Sequence, residues 1–186
     1  MSFEFTVRIP EERIGAIIGK HGKVKDEIQQ RCNVQIEINS ETGEAIISGS
    51  KPIEEMEPFK AAEIVSAISR GFSPEHAYRL FGAEDIFQQI DLRDYAGKSS
   101  NSLGRMKGRI IGEGGKSRRT IEELSGASIS VYGHTVAMIG TYKEIKLATD
   151  AIEMLMMGKM HKTVYTMLQE ARRKEKLDKM RLWEEK

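Results

Sequence analysis

The sequence predicts an α+β protein made of two copies of one unit in tandem, followed by a C-terminal helix. Three observations carry this. A Gly-x-x-Gly turn with matching flanks occurs twice, as Ile17-Ile18-Gly19-Lys20-His21-Gly22-Lys23 and as Ile110-Ile111-Gly112-Glu113-Gly114-Gly115-Lys116, each followed six residues after its second glycine by an isoleucine, Ile28 or Ile121. Apolar residues at period two and at helical spacing alternate in the same order around both turns. The stretch from His161 to Lys186 is densely charged and helix-prone, with an apolar stripe of Val164, Met167, Leu168 and Ala171 that fades afterwards.

In the first copy, Phe3, Phe5, Val7 and Ile9 alternate with polar residues and predict a half-buried strand that Pro10 ends. Glu11 to Ile17 is a short helix stopped by the glycine turn, and Val24, Ile28 and Cys32 mark an amphipathic helix over Lys23 to Arg31. Val34, Ile36 and Ile38 alternate again, Asn39 to Gly43 is a turn, and Ala45 to Ser48 returns as a strand. A helix opening at Pro52 carries Ile53, Met56, Ile64, Val65 and Ile68 and stops at Gly71, with Pro58 placed to kink or divide it.

Ser73-Pro74-Glu75 is a helix start: a capping hydroxyl, a proline at the first helical position and an acid in the first turn. The short helix that follows, with Ala77, Leu80 and Phe81, is expected to bridge the copies. The second copy runs from a strand over Ile86 to Leu92 through helices at Ser102 to Ile111 and Lys116 to Leu124. Ile129 and Val131 mark a strand, Tyr132-Gly133-His134 a turn, Thr135 to Ile139 the return strand, and Ile145, Ala148, Ile152 and Leu155 the last helix. Gly19 and Gly112 stand 93 residues apart but Gly49 and Gly140 only 91, so the second copy's strand-joining loop is two residues shorter. The expected divisions are 1–71, a linker helix over 72–85, 86–158, and a charged helix over 159–186.

Composition narrows the function. The net charge is +1 with 31% charged residues, so any polyanion site must come from local clustering. The single cysteine, Cys32, excludes an intramolecular disulfide. No apolar run nears the roughly 20 residues of a membrane span, and the Met-Ser-Phe-Glu-Phe-Thr-Val-Arg start has no signal-peptide core. A soluble, cytoplasmic protein is the expectation.

A paired Gly-x-x-Gly between two helices, with a lysine after it, is the signature of the KH domain, a single-strand RNA reader. Only one strand and one short helix precede Gly19, which leaves no room for the KH arrangement that begins with a helix and two strands. Resemblance therefore implies two tandem eukaryotic-type (type I) KH domains, each a three-stranded antiparallel sheet packed by three helices. Glycine allows positive φ and close approach of a backbone, and the helix that starts at the turn aims N–H groups and its positive dipole end at phosphates.

The expected RNA-binding residues follow. In the first domain they are Ile17, Gly19, Lys20, His21, Gly22 and Lys23; in the second, Arg105, Lys107, Arg109, Ile110, Gly112, Glu113, Gly114, Gly115, Lys116, Arg118, Arg119 and Ile129. Isoleucines 17, 18, 36 and 38, and residues 110, 111, 129 and 131, would floor grooves about four nucleotides long by the family pattern. The second turn is surrounded by cations opposed locally only by Glu113, whereas Glu11, Glu12, Asp26 and Glu27 interrupt Arg13, Lys20, Lys23 and Lys25 at the first. Affinity should therefore reside mainly in the second domain. Glu113 would repel a phosphate unless it points away or pairs with Arg109.

Enzymatic readings fail on spacing. Gly114-Gly115-Lys116-Ser117 lacks the earlier glycine of a phosphate-binding P-loop, Ile110 standing there instead, and Ser117 occupies the place of the third glycine of a dinucleotide fingerprint. His21, His76, His134 and His161 show no metal-ligand spacing. No catalytic constellation, cofactor or metal is expected.

Residues 108 to 122 (Gly-Arg-Ile-Ile-Gly-Glu-Gly-Gly-Lys-Ser-Arg-Arg-Thr-Ile-Glu), Val136 to Gly140, Lys143 to Lys146, Met157-Gly158 and Val164-Tyr165 together resemble one KH family. It is the small-subunit ribosome assembly factor called partner of Nob (Dim in yeast usage), in its archaeal form. The resemblance implies a non-enzymatic protein that holds the 3′ region of small-subunit rRNA, works with the Nob endonuclease, and is linked to the α subunit of initiation factor two. Eukaryotic relatives have a degraded first Gly-x-x-Gly, whereas Gly19 and Gly22 are intact here. The alternative is a protein-docking scaffold or translation-linked adaptor that contacts RNA weakly.

Overall fold

The structure is a computed structural model and describes residues 3–49, 51–97 and 99–184. Alternation in the first segment folds as strand β1 (Phe3–Arg8), with Phe3, Phe5 and Val7 on the more buried face. After Pro10, helix α1 (Glu11–Ile18) buries Ile14 and Ile17, and after the glycine turn helix α2 (Lys23–Cys32) buries Ile28 and Cys32. Asn33 ends α2 in the left-handed region. Strands β2 (Gln35–Asn39) and β3 (Glu44–Gly49) complete an antiparallel sheet in the order β1-β3-β2, registered by Phe3↔Gly49, Arg8↔Glu44 and Gln35↔Ser48. Burial pushes the Cys32 thiol up to about 11, so it is an inert core residue.

The helix expected from Pro52 starts later. A 3-10 turn occupies Ile53–Glu55, and helix α3 (Pro58–Ser69) takes Pro58 as its first residue. The reason is local: proline lacks an N–H and drives the preceding residue out of the helical region, and Glu57 sits at φ −120°, ψ 63°. Pro58 therefore divides the expected helix. The Ile53 side chain lies outside the described residues.

Helix α4 (Pro74–Ala77) starts at Ser73, whose hydroxyl accepts from the His76 N–H at 3.4 Å, and runs into a 3-10 turn at Tyr78–Phe81. This segment packs on the first domain: the Arg31 guanidinium lies 3.7 Å over the Phe81 ring, and Lys60 Nζ donates to the Phe81 carbonyl. Burial, with Glu27 nearby, pushes the Tyr78 phenol up to about 12. Two compact units divide between Phe87 and Gln88, so the expected linker folds as part of the first.

The second sheet has strands β4 (Ile86–Asp91), β5 (Ser128–Tyr132) and β6 (Thr135–Gly140) in the order β4-β6-β5, with β5 and β6 antiparallel through Ser128↔Ile139 and Tyr132↔Thr135. A one-turn helix, α5 (Arg93–Ala96), which the sequence reading did not foresee, follows β4. Helix α6 (Ser100–Ile111) starts two residues earlier than expected because the Ser99 hydroxyl accepts from the Ser102 N–H. Helix α7 (Lys116–Ser125) leaves the second turn. Helix α8 (Tyr142–Met156) opens with a reciprocal capping box between Thr141 and Glu144.

Helix α9 (His161–Glu184) is docked through its first half. Val164 and Leu168 are fully buried in the second core with Ile110, Ile121, Ile145 and Leu155, whereas the side chains from Arg172 to Trp183 are exposed. Glu185 and Lys186 lie outside the described residues. No described helix is long and apolar enough to cross a membrane, and no described group of three or more His, Cys, Asp or Glu is placed to hold a metal.

Candidate nucleic-acid interface

The two turns have one backbone geometry despite different side chains. Gly19 and Gly112 adopt φ 73°, ψ 175° and φ 72°, ψ 173°; His21 and Gly114 adopt φ 55°, ψ 31° and φ 57°, ψ 23°; Gly22 and Gly115 adopt φ 75°, ψ 7° and φ 77°, ψ 13°. Three positive-φ positions in four residues turn the chain sharply enough for α2 and α7 to begin at once. No side chain caps the start of either helix, in contrast to Ser73, Ser99 and Thr141 elsewhere. The positive dipole end at each turn therefore has no side-chain cap.

The first and second glycines differ in what they permit. A Cβ on Gly112 would come within 2.7 Å of the Ser117 backbone nitrogen, and one on Gly19 within 2.9 Å of the Val24 nitrogen. These glycines let the next helix fold tightly against the turn. Around Gly22 and Gly115 the nearest atoms are 3.8 Å and 3.7 Å away, so there the space is open.

What borders that open space separates the domains. Beside Gly115 it is the Arg119 guanidinium; beside Gly22 it is the Asp26 carboxylate. The two residues occupy equivalent positions, 93 apart like the glycines. Arg105, Lys116 and Arg119 are exposed and Lys107 is half-buried; in the first domain Lys20, His21 and Lys23 are exposed. Glu113 is exposed and forms no ion pair with the described residues, and Arg109 does not neutralise it.

Several expected contacts are relocated by packing. Ile17 and Ile110 have no accessible surface and Ile129 is 2% exposed, so all three belong to the cores and cannot touch a base. Their faces of α1, α6 and β5 are the ones turned inward. Ile18, Ile38, Ile111 and Val131 are half-buried; Ile36 is buried.

Arg109 is also committed. Its Nε donates to the Leu155 carbonyl at 3.0 Å and its Nη2 to the Lys159 carbonyl, while the His161 Nε2 bonds the Arg109 carbonyl at 2.8 Å. It caps the C-terminal end of α8, where a cation is favoured. Arg13 does the same in the first domain, bonding the Ile68 and Phe72 carbonyls at 2.8 Å and 2.7 Å. Replacing Arg109 by methionine is expected to destabilise the second domain by about 2 kcal/mol through loss of these charged hydrogen bonds, read by denaturant unfolding. A midpoint unchanged from the wild type would refute the capping role.

Arg118 is held between α7 and β5. Its Nη1 donates to Glu122 Oε2 at 3.0 Å and to the Ile129 carbonyl at 3.2 Å, and Glu122 Oε1 accepts from the Ile129 N–H at 2.8 Å. In the first domain Gln29 Oε1 accepts from the Ile36 N–H at 2.8 Å.

Comparison with known proteins agrees with this architecture. A family model described as eukaryotic type KH-domain (KH-domain type I) matches residues 86–173, and a KH domain model matches residues 4–57. The chain is 43% identical to a KH domain-containing protein of Methanocaldococcus jannaschii over 97% of its own length and 79% of that protein. It is 29% identical to RNA-binding protein pno1 of Dictyostelium discoideum over 87% of its length and 69% of that protein. Among solved structures, a chain of the a/eIF2alpha–aDim2p–rRNA complex from Pyrococcus horikoshii matches with a TM-score of 0.85 and 45% identity over 93% of this chain and 96% of that one. With two type I KH domains, intact Gly-x-x-Gly turns in both and this degree of identity across nearly its whole length, the chain belongs to the Pno1/Dim2 family of KH-domain proteins.

Proposed function

We propose that this protein is a non-enzymatic single-stranded RNA-binding factor that acts in small-subunit assembly and rRNA 3′-end maturation, gripping RNA chiefly through its second domain. The observation that carries the asymmetry is the exchange of Asp26 for Arg119 beside turns of the same backbone geometry. The second turn offers an uncapped helix start, open space over Gly115 and a cation at its rim, with Lys116, Arg105 and Lys107 on the adjoining helices. Neutralising phosphates with such residues releases counterions and drives binding. The rRNA in the complex of the Pyrococcus relative supports the choice of RNA.

Partners follow the family. The 3′ region of small-subunit rRNA is the ligand, the Nob endonuclease the cooperating nuclease, and the α subunit of initiation factor two a second protein partner, in a cytoplasmic setting. The second reading, a docking scaffold, has its own support at the first domain, where Glu11, Glu12 and Asp26 are exposed around the turn. That acidic border suits a protein partner better than a phosphate chain.

The test is binding of a short strand from the rRNA 3′ end, against a scrambled strand, with wild type and with Glu113-Gly114 changed to Asp-Asp. Preferential binding that the change removes supports the assembly role. Weak, equal binding of both strands that survives the change would favour the scaffold.

A further inference from the structure

We propose that Arg118 is the base-discriminating residue of the second domain and that Glu122 is its positioning residue. This rests on the reading of the second domain as the RNA site. Arg118 lies on the first turn of α7, and its Nη1 is bound both to Glu122 Oε2 at 3.0 Å and to the carbonyl of Ile129 at 3.2 Å on the edge strand β5. The guanidinium thus spans from the helix that leaves the Gly-x-x-Gly turn to the strand on the other side of the groove. Glu122 is fixed in turn by the Ile129 N–H at 2.8 Å. Arg118 keeps 34% of its side-chain surface exposed, so the group is anchored but not covered.

Which nitrogen is taken decides the chemistry. With Nη1 engaged, Nε and Nη2 have no partner among the described residues. These two nitrogens point their hydrogens in parallel along one edge of the guanidinium plane. A rigid pair of donors matches a base edge with two adjacent acceptors. Guanine offers O6 and N7, and cytosine offers O2 and N3; adenine and uracil have no such adjacent pair of acceptors. The geometry therefore favours guanine or cytosine at the position under Arg118. A swinging cation would read only phosphate, and Arg119 beside Gly115 is placed for that role.

The first domain shows the same lock without the reader. Gln29 takes the place of Glu122 and holds the Ile36 N–H at 2.8 Å, while Lys25 stands where Arg118 does. A lysine has no parallel donor edge. This also supplies a benign variant, because glutamine at 122 keeps the strand lock and removes only the charge that orients the guanidinium.

The experiment measures binding of the full chain to four labelled single strands, A10, U10, C10 and (AG)5, at several salt concentrations. Wild type is expected to favour C10 or (AG)5 over A10 and U10 by about tenfold or more, the worth of one bidentate base contact. E122Q and R118K are each expected to shrink that ratio severalfold while the slope of log affinity against log salt stays near that of wild type. R119A should instead weaken all four strands together and flatten the slope. A preference that persists in both E122Q and R118K, or a wild type that binds all four strands equally, would overturn the assignment. Failure of wild type to bind any strand would overturn the RNA-binding reading itself. Thermal melts of E122Q matching wild type keep loss of folding out of the comparison.

Discussion

Charge reversal at one position, R119D, is expected to lower single-strand RNA affinity by about ten- to a hundredfold. A hydrogen bond to a charged group is worth about 1.5–3 kcal/mol, and the reversal adds repulsion to the lost attraction. The effect should shrink as salt rises, because it acts through counterion release, and the salt slope should fall by roughly 0.7 for one lost contact on a single strand. The reciprocal change, D26R, removes the carboxylate beside Gly22 and is expected to raise the first domain's contribution. Titration of both variants against one oligonucleotide reads the two effects. If R119D and D26R both leave affinity unchanged, the rims of the turns do not decide which domain binds.

A second large effect concerns folding. G112A is expected to cost more than about 3 kcal/mol, and G115A only about 1 kcal/mol. Gly112 sits at φ 72°, ψ 173°, a region that is essentially glycine-only and costs other residues about 1–3 kcal/mol. Its added Cβ would also press to 2.7 Å of backbone nitrogen at Ser117, which cannot move without shifting α7. Gly115, at φ 77°, ψ 13° with its nearest neighbour 3.7 Å away, meets only the ordinary left-handed penalty. Since domains carry about 5–15 kcal/mol in all, G112A should leave the second domain marginal. Amide exchange over 110–125 with far-ultraviolet melts measures this; equal losses for the two variants would show that the turn's first glycine is not a packing requirement.

The geometry behind these two expectations assigns different tasks to residues that look alike in the motif. The first glycine lets a helix close against the turn. The second leaves the turn's outer surface open. An alanine scan that reports only lost binding would merge them, because an unfolded domain binds nothing.

Much of the architecture was legible before any coordinates. Period-two runs marked the strands at Phe3–Arg8 and Gln35–Asn39, and the repeated turn marked where α2 and α7 begin. Ser73-Pro74-Glu75 announced a helix start that the structure shows. Such signals are local, set by φ restriction, capping and side-chain period, and so they survive in a single sequence. The Asp26–Arg119 exchange was missed in the sequence, where each counted only among the charges of its own turn, although the offset that aligns the glycines aligns these residues. The late start of α3 was half legible, because Pro58 could either kink or divide a helix and only the backbone of Glu57 settles which.

What the sequence by itself determined is the tandem repeat, the order of elements and the positions of the turns. Only the tertiary structure divided the isoleucines and the arginines by task. Ile110 and Ile111 are chemically equal neighbours, yet one has no accessible surface and the other is half-buried, because helix rotation is set by what α6 packs against. Arg109, Arg118 and Arg119 read as one basic patch, yet one caps α8, one is locked to β5 and one borders the turn. A guanidinium goes to whichever carbonyls and carboxylates the fold brings within about 3 Å. Those partners lie 46 residues away for Arg109 and 11 for Arg118, where no local pattern reaches.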